Sequence, residues 1–102
     1  PAVKSVVMGI LSNKLDEKQY AKLSADEKDM VLLFLANSGA KYVPIYADAV
    51  EDLSRKLTIY VGEMNAGNDS DVVRTMALET AERLHRFKAI TRLEWLSLKE
   101  SM

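Results

Sequence analysis

Residues 44–64 read PIYADAVEDLSRKLTIYVGEM, and the fold turns on whether the second half of this stretch is helix or strand. Thr58, Ile59, Tyr60 and Val61 all suit a pleated strand. Against that, Tyr46, Val50, Leu53, Leu57, Tyr60 and Met64 follow one another at intervals of 4, 3, 4, 3 and 4. That is the spacing of one face of a helix; in a strand alternate residues share a face. Pro44 stands where a helix begins, because the first helical residue needs no amide hydrogen. A continuous seam outweighs four residues of β propensity, so the stretch is predicted to be one helix and the chain all-α.

Upstream, Ser24-Ala25-Asp26-Glu27 is a capping box, in which the serine oxygen takes an amide of the first turn and Glu27 reaches back to the serine amide. The helix it opens runs through seven consecutive apolar residues, Met30 to Ala36. Apolar on every side, it is expected to be the buried centre of the fold. Asn37-Ser38-Gly39 closes it, glycine being suited to the left-handed residue beyond a helix end. Nearer the N-terminus, Val3, Val6, Val7, Ile10 and Leu11 fall on one helical stripe, and Leu15, Tyr20 and Leu23 mark a short second helix behind Asp16 and Glu17.

Downstream, Asn65 to Ser70 is the clearest loop, with Asp69 or Ser70 as the next cap. No glycine or proline follows it. Asp71 to about Glu100 is therefore expected as a long C-terminal helix of roughly 45 Å, or two helices with a bend that the sequence does not place. The loop is short, so this helix should run antiparallel to residues 44–64. Val73, Met76, Thr80, Leu84 and Phe87 form its first apolar stripe, and Leu33, Phe34, Leu53, Leu57, Leu84 and Phe87 are the expected core. The whole is read as a small single-domain helical bundle of four to five helices over residues 1–102.

A 102-residue chain with 48% hydrophobic and 28% charged residues can bury a core of its own. It has no cysteine, which excludes disulfides, thiolate nucleophiles and cysteine-ligated zinc. The net charge of −1 supplies no general attraction to nucleic acid or anionic membranes. Charge is uneven, however: residues 1–71 hold eleven acids and eight bases, residues 72–102 four acids and six bases. The longest apolar run is far short of the roughly 20 residues that span a bilayer, and no signal-peptide pattern precedes it. A cytoplasmic protein without membrane contact is expected.

Function is carried by no motif. One histidine outside any nucleophile pattern, no phosphate-cradling glycine loop and no dinucleotide fingerprint point away from an enzyme, and no cofactor is implied. The strongest feature is a second stripe on the C-terminal helix, Leu78, Glu82, His85, Ala89, Arg92 and Leu96, with Leu93 and Trp95 beside it. An apolar surface on two sides of a helix belongs either to a central element or to a subunit seam. A protein-association module, self-assembling or docking a protein partner through these residues, is therefore the leading expectation. The alternative is a nucleic-acid-binding helix using Arg83, Arg86, Lys88 and Arg92, against which a solvated face is the simpler reading. A helix-turn-helix over residues 24–56 is disfavoured because Asp48, Glu51 and Asp52 would face phosphates. Glu82 and His85 also make a Glu-x-x-His pair; with a single histidine per chain, only a dimer joined by Glu51 would complete a metal site.

Overall fold

The computed structural model describes residues 8–9 and 17–101, and among these there is no strand. Five helices follow in order: α1 Glu17–Ala21, α2 Ala25–Asn37, α3 Pro44–Asn65, α4 Asp71–Arg86 and α5 Arg92–Ser101. Met8 and Gly9 are also helical; the rest of the helix expected at Val3 to Leu11 lies outside the described residues. Thr58 to Val61 is inside α3, as the seam requires. The chain divides into two compact units, Pro1–Ala47 and Asp48–Met102, with the boundary inside α3.

In the first unit the capping box forms as read. Ser24 N–H donates to Glu27 Oε1 at 3.0 Å, and Glu27 N–H donates to Ser24 Oγ at 3.2 Å. The hydrogen bond holds the Glu27 carboxyl below the ordinary carboxylate range. Val31, Leu32, Leu35 and Ala36 line one side of α2 and are buried. The opposite side is not: Met30 is 58% and Phe34 41% exposed, and Leu33 is half-buried. The expectation of a helix buried all round is thus corrected. A two-residue-wide stripe at i, i+1, i+4 and i+5 satisfies the packing, and Phe34 and Leu33 fall beside it. Leu23, Ala40, Val43, Ile45 and Tyr46 are the other buried residues among those described in this unit.

In the second unit the α3 seam weakens along its length. Leu53 is buried, whereas Val50, Leu57, Tyr60 and Met64 are half-buried, so Leu57 is a flank and not a core position. On α4 the buried line is Ala77, Thr80, Ala81 and Leu84, continued by Phe87. Small residues take the centre of the face, and Met76, expected within it, is 41% exposed. Thr80 is tolerated there because its hydroxyl donates to the Met76 carbonyl at 2.7 Å.

The long C-terminal helix is replaced by two. α4 ends at Arg86 and α5 begins at Arg92. The joint carries no glycine, which is why the sequence did not place it; its chemistry is the basis of the site below.

Candidate functional site

Three helices end with the same closing geometry. Beyond α2, Ala40 N–H donates to the Leu35 carbonyl at 2.9 Å across Gly39, whose φ is 72°. Beyond α3, Asn68 N–H donates to the Glu63 carbonyl at 2.9 Å across Gly67, whose φ is 98°. Beyond α4, Ala89 N–H donates to the Leu84 carbonyl at 2.9 Å, and the left-handed residue is Lys88, with φ 59°. A lysine there carries the steric cost that glycine avoids. Phe87, only 1% exposed at the cap position, offsets it by burying a large ring. The chain then restarts at a second capping box: Thr91 N–H donates to Glu94 Oε1 at 3.0 Å and Glu94 N–H to Thr91 Oγ1 at 3.1 Å. These bonds hold the Glu94 carboxyl below its ordinary range. Thr91-Arg92-Leu93-Glu94 was the readable sign of the break.

The elbow takes the predicted stripe apart. Leu78, Glu82 and His85 stay on α4, half-buried, exposed and half-buried in turn; Ala89 lies in the joint, and Arg92, Leu93 and Leu96 move to α5. α5 packs against α4, and the contact includes His85, whose imidazole stacks on the Trp95 indole with centroids 4.8 Å apart and planes 8° from parallel. Trp95 Nε1 is buried without a hydrogen-bond partner, so the ring is held by its faces. Lys99, one turn further along α5, places its ammonium 4.3 Å from the centroid of the same indole.

α5 is two-sided. Trp95 and Leu98, about 60° apart on the helix, are half-buried. Leu93 and Leu96, also about 60° apart, point roughly the opposite way. They are 79% and 37% exposed, and no residue of α5 is fully buried.

The basic segment is drawn into the same elbow. The Arg83 and Arg86 guanidiniums lie 5.7 and 6.0 Å from the Phe87 ring centroid. Both belong to the last turn of α4, where cations oppose the partial negative charge of the helix end. Lys88, within the joint, and Arg92, the first residue of α5, are exposed. For metal chemistry, no three histidine, aspartate or glutamate side chains converge among the described residues, and the Glu51 carboxylate is engaged with Arg55 at 3.3 Å. Glu51, Glu82 and His85 are therefore not assembled within one chain. No described helix is long and apolar enough to cross a membrane. Comparison of the chain with protein-family models, with curated proteins and with solved structures found no match in any of the three.

Proposed function

We propose that the chain is a protein-association module that self-assembles through the outer face of α5. The supporting observation is a ten-residue helix holding Leu93, Trp95, Leu96 and Leu98 of which none is fully buried, with Leu93 and Leu96 turned away from the half-buried side. Two leucines a turn apart on an uncovered helix face are the minimal anchor for helix-to-helix docking. Arg92 and Glu94, exposed beside Leu93, supply a polar rim of both signs.

The test is the mass in solution as a function of concentration. The unmodified chain is expected to exceed its monomer mass of 11.4 kDa as concentration rises. A Leu93→Asp, Leu96→Asp double variant should remain monomeric with its far-ultraviolet helicity intact, since both positions are exposed. A chain that stays monomeric at millimolar concentration would refute self-assembly.

A further inference from the structure

We propose that His85, Trp95 and Lys99 form an acid-responsive clasp between α4 and α5, in which protonation of His85 transfers the indole from a cation on its own helix to a cation on the neighbouring one. Lys99 and Trp95 are both on α5, so their cation–π contact at 4.3 Å ties nothing to α4. The His85–Trp95 stack does join the two helices, with centroids already 4.8 Å apart and planes nearly parallel. An imidazolium in that position gains the attraction of the ring quadrupole that a neutral imidazole lacks. It also lies in the last turn of α4, where a positive charge meets the carbonyl end of the helix. Two cations on one indole repel, and the exposed, flexible Lys99 ammonium is the one free to leave for water.

The surrounding charges set the balance. On α4, Glu82 stands one turn before His85, and the Arg83 and Arg86 guanidiniums are laid against Phe87. Lys88 and Arg92 add positive charge at the joint. On α5, Glu94 is occupied by the Thr91 amide, and Lys99 shares the indole itself. Because α5 buries no residue fully, its attachment to α4 is weak enough for one cation–π contact to change it measurably. The inference does not depend on self-assembly and is read in dilute, monomeric protein.

The chain has one histidine and one tryptophan, so both readouts are unambiguous. Indole emission of the full chain is to be followed from pH 8 to 5, the range in which imidazoles change charge and carboxylates do not. Backbone amide exchange of residues 93–101 is to be measured at both ends of that range and corrected for the intrinsic rate. The unmodified chain is expected to lose emission on acidification, as the stacked imidazolium quenches the indole, while protection of α5 rises about two- to fivefold, the equivalent of one exposed cation–π pair. His85→Phe, which keeps an aromatic stack that does not titrate, should abolish both responses. Lys99→Met, which removes the competing cation, should retain them and move their midpoint to higher pH. Equal responses in the chain and in His85→Phe would overturn the clasp, as would α5 protection that falls or stays constant on acidification while His85 charges.

Discussion

The two joints of the second unit, residues 66–70 and 87–91, have the same five-residue plan and almost opposite chemistry. In each, one residue caps the outgoing helix, the next is left-handed, the third returns its amide to the last turn, and the fifth caps the incoming helix. Ala66, Gly67, Asn68, Asp69 and Ser70 are all exposed. Phe87, Lys88, Ala89, Ile90 and Thr91 place a buried ring where the first joint has alanine, and a lysine where it has glycine. Glycine lowers the cost of the left-handed turn locally; the second joint carries that cost and recovers it through tertiary burial. The same backbone path is thus obtained once from conformational freedom and once from packing.

The largest effect that separates the joints is expected at their cap positions. Phe87→Ala should cost about 3–5 kcal/mol of stability in denaturant unfolding, the range for emptying a buried aromatic site. Ala66→Ser, at the exposed counterpart, should change it by less than about 0.5 kcal/mol. A mild Phe87→Ala would mean that the second joint is also held locally and would dissolve the contrast.

A smaller effect, opposite in sign at the two joints, is expected at the left-handed residues. Gly67→Ala should cost about 1 kcal/mol although a Cβ there meets nothing within 4 Å, because the penalty is conformational. Lys88→Gly should gain up to about 1 kcal/mol by relieving the same penalty. Thermal unfolding of the pair would check both signs.

Acid provides the finest distinction. The Glu94 carboxyl is lowered by its bond from the Thr91 amide, so its contribution is present above the ordinary glutamate value of about 4.3 and is lost as pH falls through the depressed one. At the first joint the matching position is Val73, whose amide donates to Ser70 Oγ with no carboxylate in return. Amide exchange at the first turn of α5 should therefore accelerate below about pH 4, after correction for the intrinsic rate, before that of α4 does. Glu94→Ala, which removes the carboxylate that the Thr91 amide holds, should remove the difference.

What was legible in the sequence follows from the same contrast. The α3 seam, the Ser24 box, the closure at Gly39 and the loop at residues 65–70 are written in local residues, and each is readable without knowledge of the rest. Phe87 was recognised as core, yet its role in ending α4 was not, because a buried ring supporting a left-handed lysine is a tertiary arrangement with no local marker. Thr91 and Glu94 did mark the restart, but inside a run free of glycine and proline their spacing is easily taken for ordinary helix surface. With the break unplaced, the stripe from Leu78 to Leu96 seemed continuous, and the face-to-face meeting of His85 and Trp95, ten residues apart on different helices, was invisible. Met30 and Phe34 read as interior from hydrophobicity, which does not say which side of a helix its neighbours occupy.

That α5 buries no residue fully also bears on the order in which the chain comes apart. A ten-residue helix is too short to persist alone in water, and its hold on α4 rests on half-buried side chains. Its opening free energy therefore lies well below that of the helices that contribute Leu35, Leu84 and Phe87 to the interior. Thermal fluctuation thus detaches α5 from α4 before it opens α4 itself, and a partner seated on Leu93 and Leu96 of the docked helix would draw the population towards the folded-back form by mass action.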